Sequence, residues 1–314
     1  MKRKKTKTPY RVRNWSEYNK ALVCRGSLTL WIHQRVIDAW NARDRTGRPG
    51  RPRTYSDTAI ETALTLRAIY RLPLRQTQGL MLSIVELLGV RLDVMDYSTL
   101  SRRSQTLDVA LPTFGVGEAL HVLVDSSGVK VVGEGEWQVR QHGVSKRRTW
   151  RKLHLGIDGT TQQVVAALVT TPDWSDDEIL PELLEQITEP IAEVKTDGAY
   201  DTRSCYRAIW ARGARAVIPP RRTAKIWQHG RAKAPPVDRD QHLRAIRARG
   251  RRMWKKQSGY HERSLVETAF SRLKRMFGDQ VRGRTLDAQH CELMLRCAVM
   301  NRWTSLGMPD SYAA

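Results

Sequence analysis

The chain has 314 residues, enough to bury a full core and, by size, to form about two domains. Its 54 Lys and Arg against 32 Asp and Glu leave a net charge of +22, an excess that points to a polyanionic partner, nucleic acid first. There is no apolar run of the roughly 18 residues a membrane span needs and no signal peptide behind the Lys-rich start, and Cys24, Cys205, Cys291 and Cys297 suit neither a disulfide scaffold nor a zinc knuckle, so a soluble, cytoplasmic protein with reduced thiols and no membrane partner is expected.

The positive charge is concentrated in two blocks. Residues 1–53 carry fifteen Lys/Arg and three Asp/Glu, and residues 203–256 carry seventeen and two. The first block closes on Gly47-Arg48-Pro49-Gly50-Arg51-Pro52-Arg53, where prolines stiffen the backbone and Arg48 and Arg51 project from it. Such a strap suits a minor groove, and it would serve equally as a basic interdomain linker.

Three helices are predicted next. Asp57 can cap one over 58–70, where Ile60, Leu64 and Ile69 recur at helical spacing; Pro73 breaks the chain, and 74–88 is apolar until Gly89 stops it. Ser98 can cap a third over 99–107, placing Arg102 and Arg103 on a short polar helix after a turn. That arrangement fits the recognition helix of a helix-turn-helix unit and also a plain helical bundle with a basic surface.

From residue 120 the period changes to that of strands: 121–125, ending in Asp125, then 152–157 and 164–170, the last two joined by Asp158-Gly159. A helix over 176–187 precedes a strand over 192–196 that leads into Asp197; a helix over 202–211 and a fifth strand over 214–218 follow. Hairpin strands followed by alternating helix and strand give an α/β fold with a mixed five-stranded sheet flanked by helices. The second basic block, about 221–256, has little apolar periodicity and reads as an irregular insertion, after which helices are predicted over 262–277 and 287–304.

Position singles out three carboxylates. Asp125 and Asp197 stand at the carboxyl ends of apolar strands, where open α/β sheets place their sites. Tyr260, Arg263, Glu267 and Lys274 form Y-x2-R-x3-E-x6-K and fall on one stripe of an ideal helix, so that Glu267 can reach a metal while Arg263 and Lys274 meet phosphates. Three carboxylates holding two Mg²⁺ ions, for which Mn²⁺ can substitute, are suited to phosphoryl transfer. His154, Glu134, Glu136, Asp158 and Asp201 are expected to be structural or surface groups, and His142 and His261 lack partners at zinc-ligand spacing. Trp137 and Trp150 are assigned to the core. Trp227 and Trp254, set among arginines, are the candidates for stacking on DNA bases.

These runs, with Asn14-Trp15, 97–103, 133–137, 150–155, 197–203, 218–221 and 259–274, resemble insertion-sequence transposases of the IS-five family, most closely its nine-oh-three subgroup, within the IS-four-like superfamily. The resemblance implies an RNase H-like catalytic domain over 116–314 after a helical, basic region over 1–115 that recognises terminal inverted repeats. It also implies the triad Asp125, Asp197 and Glu267, DNA contacts by Arg263 and Lys274, and a homodimer or larger multimer on double-stranded DNA. The expected reaction frees 3′-hydroxyls at the element's ends and joins them to target DNA. Two rivals are a descendant that only binds DNA and a nuclease that cuts without joining.

Overall fold

The computed structural model describes residues 10–42, 53–115, 119–132, 150–228 and 237–313. Arg48, Arg51, Glu134, Glu136, Trp137 and His142 lie outside this set. Near the ends of the chain, β1 (Tyr10–Val12) pairs antiparallel with β8 (Ser311–Ala313). The central sheet begins with an antiparallel meander of β2 (Leu120–Val131), β3 (Trp150–Asp158) and β4 (Val164–Thr170). Two parallel strands extend it, β5 (Ile191–Lys195) on β2 and β6 (Arg215–Val217) on β5, giving the order β4-β3-β2-β5-β6. A sixth strand corrects the expected five: β7 (Gln280–Val281), too short to leave a period in sequence, pairs with the far end of β2.

β2 corrects a second expectation, because it runs through Asp125 instead of ending there. Ser126, Ser127 and Gly128 are polar or small, yet their backbone stays paired with β3 as far as Lys130 opposite Trp150. Backbone pairing asks nothing of side-chain polarity. Trp150 is likewise not a core residue: it lies across Gly128, where a Cβ would come within 3.3 Å of the ring, and remains 38% exposed.

The two faces of the sheet are covered differently. Leu123, Val129, Leu153, Leu155, Ile157 and Val169 share one apolar cluster with residues of α3 (Asp57–Tyr70), α4 (Leu74–Leu88), α9 (Ser264–Phe277) and α10 (Leu286–Leu306). On the opposite face Val122, Val124 and Val194 pack with α6 (Asp176–Glu185) and α7 (Arg203–Ala211). Strand alternation therefore sorts odd and even positions of β2 into two cores. α3 is capped by Ser56, whose hydroxyl accepts from Ala59 N at 3.1 Å, and α4 closes on Gly89 at φ 64°. The short α5 (Tyr97–Arg103) starts at Asp96, which accepts from Ser98 N at 2.7 Å, and so begins earlier than its expected Ser98 cap. Two further helices, α1 (Trp15–Arg25) and α2 (Gln34–Asp38), precede them.

The second basic block is the largest departure. Residues Asp238–Gln257 form α8, kinked at Gly250, which takes φ 80° and ψ 155°. Its buried side chains are mostly polar, Arg239, Asp240 and His242 beside Leu243 and Trp254, so no apolar stripe advertised it. Arg239 meets Asp201 at 2.6 Å and stacks on Trp227 at 4.0 Å. Trp254 is 2% exposed, and its indole N–H, a donor only, bonds His242 Nδ1 at 3.0 Å. His242 must then carry its proton on Nε2 and donate it to the Ala216 carbonyl at 2.8 Å, tying α8 to β6. Burial holds His242 below the usual imidazole range, in keeping with that neutral form. Among the described residues no helix is long and apolar enough to cross a membrane.

Candidate active site

Strand register brings the first two carboxylates together. β2 and β5 run parallel, their pairing ending with Leu123 opposite Lys195, and two residues on Asp125 comes near enough to Asp197 to feel its charge. Neighbouring strands lie about 4.8 Å apart, and the period of two sends both side chains to the face that α9 covers. Asp197 also caps the short turn Gly198–Tyr200, accepting from Ala199 N at 2.8 Å. Gly198 is needed there because a Cβ would press to 3.3 Å from the Pro219 carbonyl.

α9 delivers the third carboxylate. Val266, Ala269, Phe270, Leu273 and Phe277 recur at helical spacing and bury against the core, which leaves Glu267 at the margin of that face with its side chain 54% exposed. Arg263 links it to the sheet, bonding Asp125 at 2.8 Å with one nitrogen and Glu267 with the other. Lys274 reaches the same strand two residues along, at Ser127 Oγ, 2.6 Å away. The four-residue stripe is not one α-helix, however: Tyr260–Arg263 is a tighter turn ahead of Ser264. Tyr260 is buried, its ring 5.4 Å from Trp254 and 5.9 Å from the Arg263 guanidinium carbon.

The electrostatics follow from this crowding. Burial, reinforced by the Asp197 charge, raises the Asp125 carboxyl above its ordinary value, against the opposing Ser126 N–H and Arg263. Two carboxylates forced side by side, one of them also desolvated, favour a cation between or beside them. Arg263 is the cation present. Among the described residues no three His, Cys, Asp or Glu side chains close on one point as a preformed metal cage would. The donor set still fits a hard divalent ion, because it consists of carboxylate oxygens, two of them on or just past neighbouring strands, with the third held off by a guanidinium that lies between.

Other expected residues are placed elsewhere. Arg103 is tied to the Tyr55 carbonyl at 3.0 Å and to Asp57, which removes it from an open DNA face, while Arg102 stays exposed beside Thr99. Trp254 is buried, and Trp227 is clamped between Arg203 and Arg239, so neither presents a free ring to a base. His154 is buried against Thr170, Asp158 binds the Thr161 N–H and hydroxyl, and Asp201 is paired with Arg239, all structural as expected. Sequence reasoning missed Asp176, which pairs with Lys152 at 2.7 Å and, with Asp125 and Asp197, adds its charge to the burial that raises the Tyr200 phenol. It also missed the Lys195–Glu262 pair that pins the turn before α9 to β5. No local spacing marks either; both exist only through tertiary pairing.

Two family models described as "Transposase DDE domain" match the chain, over residues 23–134 and 117–302. Among solved structures, the chain is similar to the piggyBac transposase synaptic complex with hairpin DNA at 13% identity and TM-score 0.44, covering 90% of this chain and 73% of that one. It is similar to the Mos1 strand transfer complex at 10% identity and TM-score 0.23, covering 84% and 82%. Both are remote likenesses, and the assignment rests on the domain matches, the second of which spans more than half of the molecule: the chain belongs to the DDE-domain transposase family.

Proposed function

We propose that Asp125, Asp197 and Glu267 are the metal-holding triad of an insertion-sequence transposase of the IS-five type, on an RNase H-like sheet. The enzyme would act as a homodimer or larger multimer in the bacterial cytoplasm. The observation that carries this reading is the strand register that brings Asp125 near Asp197, with Arg263 spanning Asp125 and Glu267. A bound pair of Mg²⁺ or Mn²⁺ ions would supply Lewis-acid stabilisation of phosphoryl oxygens and an activated hydroxyl. The chain's own groups do the positioning. Arg263, released from the carboxylates, is a planar fork matched to a phosphate, and Lys274 offers a point charge beside it. The region over 1–115, with the exposed Arg102, reads terminal inverted repeats, and the domain over 116–314 frees 3′-hydroxyls and joins them to target DNA.

Strand cleavage of terminal-repeat DNA in Mg²⁺ tests the proposal. Asp125→Ala is expected to lower the rate by about a thousandfold or more, on the order of 4 kcal/mol of transition-state stabilisation. Equal cleavage by both proteins would refute the triad. Cleavage without joining of a precut end would leave a nuclease instead.

A further inference from the structure

Away from the carboxylates, at the other end of β2, a cavity of about 280 Å³ gathers positive charge. Arg67, Arg71, Arg282 and Arg296 line it, together with Glu292 and Asp279. Asp279 is already paired with Lys130 at 2.8 Å. Glu292 accepts from the backbone N–H groups of Arg282 and Gly283 at 2.9 and 3.0 Å and pairs with Arg296 at 2.5 Å, while Arg67 lies 3.7 Å away. Four arginines thus line a cavity with two carboxylates, of which Asp279 is taken by Lys130 and Glu292 is shared between Arg296, Arg67 and two backbone N–H groups.

Arg296 carries the inference. Its side chain is 5% exposed; one nitrogen serves Glu292 and the Gln280 carbonyl, and its Nε and Nη1 have no partner among the described residues. Arg67 Nε is also unpartnered. A buried guanidinium whose donors are only partly matched bears a desolvation penalty, which an oxyanion seated in the cavity beside it would offset through its charge. Neighbouring contacts hold the walls in shape: Arg71 donates to the Arg275 and Met276 carbonyls that end α9, and Arg282 donates to the Arg71 carbonyl at 2.6 Å.

We propose that this cavity is a phosphate-binding site that seats a backbone phosphate of bound DNA. Guanidinium forks match phosphate oxygens in pairs. The carrier follows from placement: β2 runs about 17 Å from Asp125 to Lys130, which is in register with Gln280 at the cavity, and Lys274 lies along the way at Ser127. A DNA strand leaving the carboxylates along this face of β2 would meet Lys274 and then the arginines. The choice of DNA rests on the DNA-binding reading above; the phosphate chemistry does not.

Thermal melting of the full chain at constant ionic strength, with inorganic phosphate replacing chloride, tests the site. Wild type and Arg207→Gln, an exposed control on α7, are expected to show a saturating rise in Tm, which Arg67→Gln and Arg282→Gln lose. Arg282 is exposed, so its variant keeps the test decisive if Arg67→Gln fails to fold. No saturable rise in wild type, or an equal rise in every protein, overturns the site. The second arm measures duplex binding against salt, where Arg67→Gln should reduce the log–log slope by about 0.9. A saturating phosphate response with an unchanged slope overturns DNA as the carrier and leaves a free phosphate compound. A phosphate response in a protein that binds no duplex at any salt overturns the DNA carrier and the DNA-binding reading together.

Discussion

Two arginine–carboxylate clusters in this molecule are built to opposite ends. Arg239 and Asp201 have side chains 6% and 1% exposed, and nearly every polar atom is satisfied: Asp201 takes two arginine nitrogens and the Arg221 N–H, while Arg239 also donates to the Lys225 carbonyl and stacks on Trp227. Arg263 instead spans Asp125 and Glu267 at the surface, with Glu267 more than half exposed and a second carboxylate, Asp197, crowding Asp125. The closed cluster fastens the basic segment to the sheet. The open one crowds like charges around a single guanidinium, an arrangement that gains less stability than the closed pair and that the proposed cation site would use.

The comparison is broken most directly by removing one partner from each cluster. Asp201→Ala leaves Arg239 buried and uncompensated and should cost about 3–5 kcal/mol in denaturant unfolding. Asp125→Asn relieves a desolvated carboxylate and should leave the unfolding midpoint within about 0.5 kcal/mol of wild type or raise it. If the two variants destabilise alike, the distinction between fastening and binding clusters fails.

A buried histidine on the neighbouring strand β3 sharpens the same contrast through pH. Burial depresses the His154 imidazole from 6.5 to about 4, so the folded state excludes a proton that the unfolded chain binds between these values. Stability should therefore fall as pH drops from 6.5 towards 4, by up to roughly 3 kcal/mol from this residue, with no further loss from it below 4. Unfolding midpoints at pH 4.5 and 7 should differ less in His154→Asn than in wild type, and an unchanged difference would rule out His154 as the source. Smaller still, Trp254→Phe strands His242 Nδ1 in the core and should cost about 1–3 kcal/mol while leaving DNA affinity unchanged. A large loss of affinity at unchanged stability would return Trp254 to the DNA surface.

Legibility in sequence tracked the physics of burial. The helices Asp57–Tyr70 and Leu74–Leu88 and the strand Val164–Thr170 were readable to within a residue or so because apolar periodicity and punctuation by Pro73 and Gly89 define them. α8 was not, since its buried side chains Arg239, Asp240 and His242 are held by ion pairs and hydrogen bonds whose partners lie elsewhere in the chain. The continuation of β2 past Asp125 was hidden for a related reason: Ser126 to Gly128 stay in the strand through backbone pairing alone. At the candidate site, Asp125 and Asp197 could be picked out because each closes an apolar run, and Glu267 because of its spacing from Arg263 and Lys274. The bridge made by Arg263, the neighbouring Asp176 and the withdrawal of Arg103 onto Asp57 are tertiary facts with no local signature.

The proposed hold of Asp125, Asp197 and Glu267 on a divalent cation is tested most directly by Mn²⁺ binding to the full chain, followed by electron paramagnetic resonance without DNA. The account predicts saturable binding by wild type, weakened at least about tenfold in both Asp125→Asn and Asp197→Asn and strengthened in Arg263→Gln, which removes the competing guanidinium. Equal Mn²⁺ affinity in wild type and both aspartate variants would contradict it.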